Sequence, residues 1–317
     1  MKLVYRIFLF FLLGSQILPA GGQLTSGFEF LRTEFNPRIS AMSGAYLTIR
    51  GDGNGMFINP AGNAYTTQRQ FFFNYSNYLL DINGGSAGYV HPLPRWGRLT
   101  AGVQYMDYGS FIQTDESAEP TGQTFTAQDF AVSVGLADTL GQGFSYGVNT
   151  KLIFSKYEQY TAAAYALDFG LLYAAPFEKD LMFAATLTNV GYNFNYYASR
   201  KETLPLSLRL GISKKLEHLP LEISLVLNDL NLSTDNVWDH FRRFAIGGEF
   251  RMSSRLRLRM GYDNDIHRGQ SGITNQKFAG VSAGIGIYTK RFRFDYAYTN
   301  MSALGNIHRF GISGYLK

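Results

Sequence analysis

Gly84-Gly85-Ser86-Ala87-Gly88 matches the G-x-S-x-G pattern, in which a serine on a tight turn attacks an acyl carbon. That chemistry needs a strand, a sharp turn and then a helix, so that the hydroxyl stands exposed beside an oxyanion hole. Here the glycines lead into another alternating stretch, which predicts a strand and no nucleophile. Gly51-Asp52-Gly53-Asn54-Gly55 has the look of a phosphate cradle or a calcium loop, but it lacks the P-loop lysine and the acidic spacing of an EF-hand. It reads as a turn. The five histidines, at 91, 218, 240, 267 and 308, form no His-x-x-x-His pair, and none has more than a single acid beside it, as Asp239 beside His240. No metal site is expected. Without a Ser/His/acid arrangement, no catalytic residue and no cofactor are expected either, and the chain reads as a non-enzyme.

The charges that remain have a different chemistry, that of buried pairing. From Leu256 the chain runs Leu-Arg-Leu-Arg-Met-Gly-Tyr-Asp, and from Arg291 it runs Arg-Phe-Arg-Phe-Asp-Tyr-Ala-Tyr-Thr. Successive side chains of a strand point to opposite faces, so one face is apolar and the other charged. By the same alternation Lys151, Asp168, Arg209, Glu249, Arg257, Arg259, Arg293 and Asp295 share the polar side. In a soluble sandwich that side meets water; in an outer-membrane barrel it lines the lumen while the apolar side meets lipid. Charges in a filled lumen need partners, so these residues are expected to satisfy one another around a plug.

The N-terminus favours the membrane reading. Lys2 and Arg6 accompany an apolar run from Leu3 through Leu13, followed by Gly14, Ser15, Pro19, Ala20, Gly21 and Gly22, which reads as a signal peptide over 1–22 cleaved before Gly21 or Gln23. The run is too short for a spanning helix, and no later stretch approaches 18 apolar residues. No cysteine is present, so lipid anchoring, disulfides and thiolate metal sites are excluded. Without Lys2 and Arg6 the chain carries 27 basic and 24 acidic residues, a net charge of +3 that gives no argument for nucleic acid. The 26 Phe and 21 Tyr suit strands and interfacial girdles.

Period-2 counting from Arg69 predicts fourteen strands: 70–78, 84–91, 99–106, 127–136, 144–156, 163–173, 181–189, 206–214, 221–228, 243–251, 256–263, 280–289, 291–299 and 309–316. An even count fits a closed antiparallel barrel in the outer membrane. The connections alternate in length. Tight turns are expected at 92–96, 138–143, 176–180 and 215–220, and longer polar loops at 107–126, 192–204, 229–241 and 264–278. No helix-period segment long enough for a βαβ crossover separates the strands.

Residues 23–68 break the alternation. The segment is rich in Gly, Asn and small residues, yet Phe28, Phe30, Leu31, Phe35, Met42, Tyr46, Leu47 and Ile49 supply apolar anchors that a solvated tail would not need. It is expected to plug the lumen or lie across the periplasmic mouth of a barrel spanning 69–317. Pro37, Gly44 and Pro60 would shape its turns, and Arg38 would seek an acidic lumen partner.

Phe28-Glu29-Phe30-Leu31, then Asn36-Pro37-Arg38-Ile39-Ser40-Ala41-Met42-Ser43-Gly44-Ala45-Tyr46, then Asn59-Pro60-Ala61, resembles the N-terminal signature of the PorV/PorQ family. Pro37 stands where the family has a small residue, and Ser43-Gly44 where it has a glycine pair. The resemblance is nearer to PorQ-like members, continuing through Gly88 to Pro92, Gly102 to Phe111, Lys151 to Tyr160, Leu204-Pro205 and Gly211 to His218, and so over most of the chain. Its most specific segments are Tyr105 to Phe111 and Lys214 to His218. The resemblance implies a 14-stranded FadL-like barrel with Phe30, Leu31, Pro37, Arg38, Ala41, Gly44, Asn59 and Pro60 in a lumenal plug motif. It also implies a non-enzymatic scaffold of the type IX secretion system. There a sortase-like subunit removes the cargo's C-terminal signal domain and joins the cargo to lipopolysaccharide. The expected partners are outer-membrane lipid and lipopolysaccharide, attachment-complex subunits and, transiently, cargo. A FadL-like transporter of hydrophobic small molecules is the alternative. The charged inner faces argue against the large apolar pocket it would need.

Overall fold

In the computed structural model the described residues are 27–115, 117–196, 203–234, 236, 238–270 and 278–316; the expected signal peptide lies outside them. Fourteen strands follow in chain order: β1 (Arg69–Asn77), β2 (Asn83–Leu93), β3 (Gly97–Thr114), β4 (Pro120–Gly141), β5 (Phe144–Tyr157), β6 (Tyr160–Ala174), β7 (Leu181–Asn195), β8 (Ser207–Lys215), β9 (Leu221–Leu227), β10 (Phe244–Arg251), β11 (Leu256–Asp263), β12 (Val281–Tyr288), β13 (Phe292–Asn300) and β14 (Asn306–Leu316). Each pairs antiparallel with its sequence neighbours, and β1 closes on β14 from Arg69↔Leu316 to Asn77↔His308. Closure leaves no unpaired edge, which is what a spanning sheet requires where no water can satisfy a free N–H or C=O.

Alternation carries through to the environment of each side chain. Phe73, Leu152, Phe154, Leu258, Met260, Phe294 and Phe310 point outward and are 40 to 66 % exposed, while their sequence neighbours on the inner face, such as Asn74, Ile153 and Arg259, are buried. An apolar belt of that extent is stable only against lipid. No described helix is long and apolar enough to cross a membrane. One end of the barrel carries Arg69, Leu316 and the short turns, for example Leu93 to Gly97 and Gly141 to Phe144. The other carries the long connections between Leu227 and Phe244 and between Asp263 and Val281. By that asymmetry the short-turn end is periplasmic.

The expected loop at 107–126 is not a loop. After a bulge between Asp107 and Ser110 the pairing resumes with Ser110↔Thr126, Phe111↔Phe125 and Ile112↔Thr124, and the rings of Phe111 and Phe125 stack at 5.3 Å. Thr, Phe, Tyr and Ile all favour the extended chain, so β3 and β4 outrun the membrane as a hairpin. β7 likewise passes its expected end at Asn189, which sits at φ 61° beside a register shift between Leu167 and Phe169. Two short helices, Trp238–Phe241 and Asn264–Gly269, lie in segments expected to be polar loops.

The described part of the N-terminal segment fills the lumen as a chain of short turns. Asn36 caps the turn Pro37–Ser40 by accepting from Ile39 N at 3.0 Å; Asp52 caps Gly53–Phe57, and Asn59 caps Pro60–Tyr65. Side-chain oxygens at these positions satisfy amides that a short turn leaves unpaired. The core lies between plug and wall. Ile39, Met42, Leu47 and Ile49 pack against Leu172, Met182 and Val226, and Phe28, Phe30, Leu31 and Phe35 against Met106, Ala131 and Ile153. The wall admits the plug backbone at glycines: a Cβ on Gly261 would fall 2.2 Å from the Met42 carbonyl carbon, and one on Gly147 2.3 Å from that of Pro60.

Candidate functional site

Six charged groups close into a ring where the plug meets β10 to β13. Arg38 binds Glu249 through Nε–Oε2 at 2.9 Å and Asp52 through Nη1–Oδ2 at 3.0 Å. Asp52 receives Arg293 at 2.6 Å, Arg293 also binds Asp295 at 2.6 Å, Asp295 receives Arg259 at 2.6 Å, and Arg259 returns to Glu249 at 2.7 Å. Three arginines alternate with three carboxylates, and every member has two partners of opposite sign. Such closure is the condition under which buried charges are tolerated.

Local geometry explains the ring. Glu249 and Arg259 are directly opposed in the β10–β11 register, and Arg293 and Asp295 share a face of β13 as i and i+2. Arg259 must still reach Asp295 across β12, and it does so over Gly286, where a Cβ would lie 2.6 Å from Arg259 Nη2 and 2.7 Å from Asp295 Oδ1. Tyr288 borders the group, accepting from Arg259 at 3.2 Å, with Arg257 4.9 Å from its ring centroid. Burial alone would raise the Asp52 carboxyl, but Arg293 and then Arg38 hold it well below the usual carboxylate range.

The other expected lumen charges have separate surroundings. Lys151 forms an ion pair with Asp168 at 2.8 Å and donates to Asn189 Oδ1 at 2.9 Å, while Asp168 accepts from Asn189 N. Arg209 donates to the Ile58 carbonyl at 3.0 Å. Arg257 shares the inner face with Arg259 but folds back to the Ser253 and Leu256 carbonyls at the periplasmic rim, outside the ring. In the plug motif Phe30, Leu31 and Ala41 are buried, Pro37 and Pro60 open their turns, and Gly44 takes φ 76° just after one of them. Asn59 donates to Leu47 O and Leu171 O, tying plug to wall. Sequence reasoning passed over Asp52, taken as part of a turn, and Glu34. Asp52 carried no signal in the sequence beyond its nearness to Arg38, and only the seating of the plug sets it between Arg38 and Arg293.

Ser86 lies in mid-strand β2, its hydroxyl accepting from Asn74 at 2.9 Å, and no turn or helix follows it there. Among the described residues no group of three or more His, Cys, Asp or Glu is arranged to hold a metal ion.

Above the plug, toward the long-loop end, lies a cavity of about 600 Å³. Phe30, Phe35, Ile58 and Met106 give it an apolar patch, and nine charged residues, Glu34, Arg209 and Arg309 among them, line the rest together with uncharged polar ones.

No protein-family model matches the sequence, and no curated protein matches it. Solved structures do share the fold. The toluene transporter TbuX of Ralstonia pickettii is similar at TM-score 0.62 and 12 % identity over 89 % of this chain and 98 % of that one. CymD, a monoaromatic hydrocarbon channel, gives 0.59 and 10 % over 93 % and 99 %, and a FadL homologue of Pseudomonas aeruginosa 0.53 and 11 % over 88 % and 97 %. The chain is a 14-stranded outer-membrane barrel of FadL-like fold.

Proposed function

We propose that this chain takes up a small hydrophobic or amphiphilic molecule from outside the cell, holding it in the cavity above the plug and performing no chemistry on it. The cavity carries this reading, because its size is that of a ligand site and it sets an apolar patch around Phe30, Phe35 and Met106 among polar and charged side chains, a mixture that suits an amphiphile. The transporters and channel of the same fold support it by analogy only. The test is uptake of a panel of radiolabelled hydrophobic and amphiphilic solutes by cells with and without the gene. Equal uptake of every solute would defeat the proposal.

A second reading is favoured by the ring, which holds the plug in place with two of its own charges. A barrel so closed suits a scaffold, and the PorV/PorQ resemblance points to the attachment complex of type IX secretion. Lipid and lipopolysaccharide would surround the barrel, and complex subunits would dock on its loops or periplasmic turns, which alone meet water. Under this reading the deletion strain releases cargo or leaves its signal domain uncleaved, attachment subunits co-purify with a tagged copy, and Ser86→Ala changes nothing. Normal cargo attachment with lost uptake favours the first reading.

A further inference from the structure

We infer that the periplasmic rim between β10 and β13 is a docking surface for an acidic segment of a periplasmic protein, held by Arg251, Arg257 and Arg291. The inference holds for a transporter and for a scaffold alike, since it concerns only what meets the periplasmic end.

Two like charges face each other at this rim. Arg251 ends β10 directly opposite Arg257 on β11, in the same register that sets Glu249 against Arg259. Like charges so opposed weaken a sheet, and no carboxylate relieves this pair. Asp52, Glu249 and Asp295 are each taken by two arginines of the ring. The turns add Arg255, Lys290 and Arg291, and Arg69 begins β1 across β14 from Arg291. The two turns touch, with Tyr288 N donating to the Arg255 carbonyl at 2.7 Å, and Tyr315 N of β14 donates to the Arg291 carbonyl at 3.0 Å. From Arg251 to Arg257 and from Tyr288 to Arg293 the chain has no acid. None of these six basic residues has an ion pair among the described residues.

Parity decides which anion the rim faces. Arg251 follows the buried Glu249 by two residues, and Arg257 and Arg291 precede the buried Arg259 and Arg293 by two, so all three lie on the lumenal side of the wall. They overhang the plugged mouth. The phosphates of the inner leaflet lie around the outside of the barrel, where the same strands present Leu258 and Phe292. A soluble partner therefore reaches these guanidinium groups and a bilayer lipid does not. Arg257 is fixed in place, its Nη1 on the Ser253 and Leu256 carbonyls and its guanidinium 4.9 Å from the Tyr288 ring centroid, while Arg251 and Arg291 are exposed. β10 and β13 are three strand spacings apart, roughly 15 Å, which an extended run of about five residues spans. A single small anion cannot meet charges so spread, whereas a run of Asp and Glu meets them in turn, and planar guanidinium forks suit its carboxylates.

The test is fluorescence anisotropy of a labelled peptide, Gly-Glu-Asp-Glu-Asp-Glu-Gly, and of its Gln/Asn counterpart, with the full-length protein in a neutral detergent at low ionic strength. The acidic peptide should bind about tenfold tighter than its counterpart. Arg251→Gln combined with Arg291→Gln should remove most of that preference. Arg95→Gln combined with Lys179→Gln, which takes the same charge from exposed turns on the far side of the same end, should leave it intact. Arg251→Gln alone should leave the urea midpoint unchanged or raised, because it relieves the opposed pair; a lowered midpoint overturns the premise that the pair is held in repulsion. Equal binding of the two peptides overturns the site, and so does an equal loss in the two double variants, which reduces the patch to net charge. Mass spectrometry of the protein from nanodiscs containing phosphatidylglycerol tests the lipid alternative. Phosphatidylglycerol retained by the unaltered protein and lost from the Arg251→Gln, Arg291→Gln form assigns the patch to lipid phosphate and overturns the protein partner.

Discussion

At the scale of single residues, Gly286 and Glu34 make the sharpest demands. Gly286 is the gap over which Arg259 reaches Asp295. Gly286→Val forces one of them aside, and overpacking at this point should cost about 1 to 3 kcal/mol in urea unfolding, more than the same change at Gly248, where the nearest atom a Cβ would meet is the flexible end of Leu221 at 3.3 Å. Glu34 imposes a pH dependence whose sign is fixed. Its carboxyl is raised to about 7 in the folded protein, so the folded state binds the proton more tightly than the unfolded chain. The stabilisation is full below the ordinary glutamate range and is lost as pH rises toward and through about 7. Hydrogen exchange of the amides around Phe30 to Asn36 should therefore quicken between pH 5 and 8, allowing for the intrinsic rate, and Glu34→Gln should remove that change.

Among the elements, β11 tests the two-faced strand and the plug tests the ring. Leu258 faces lipid, whereas Arg257 faces the lumenal rim. An arginine at Leu258 should cost about 2 to 4 kcal/mol in vesicles, and Arg257→Gln less; aqueous labelling of a cysteine at position 258 would reverse the assignment. The plug adds a conductance test. Full-length protein in planar bilayers should pass little current, and removal of residues 27–68 should give large, steady channels. Identical traces from the two would show that the segment does not block the lumen.

For the whole molecule, the ring sets the acid limit. Asp52 is held well below the usual carboxylate range, so its contribution is present above the ordinary aspartate value near about 4 and is lost only as pH falls through its depressed folded value. The plugged barrel should stay closed to ions at pH 4 to 5 and open only in strong acid. Asp52→Asn, which leaves Arg38 and Arg293 each with one carboxylate, should bring opening to milder pH.

Alternation counted from Arg69 to the end of the chain sufficed for fourteen strands, because a period of two is a local property that neighbours along the chain decide, and the N-terminal export signal then chose the barrel over a soluble sandwich. It sufficed for the inner-face parity of Lys151, Asp168, Arg259, Arg293 and Asp295 for the same reason. Which charge meets which was another matter. Arg38 and Asp52 are 14 residues apart, and Asp52 and Arg293 are separated by 241; only the closing of β1 on β14 and the seating of the plug bring them together. The length of the β3–β4 hairpin was hidden as well, since a polar run such as 107–126 reads as a loop unless cross-strand partners such as Phe111 and Phe125 are known to meet. The cavity was least legible of all. Its walls come from the plug and from strands as far apart as β2, β8 and β14, and that Arg209 and Arg309 have no carboxylate partner among the described residues depends on packing across the barrel and on no spacing along the chain.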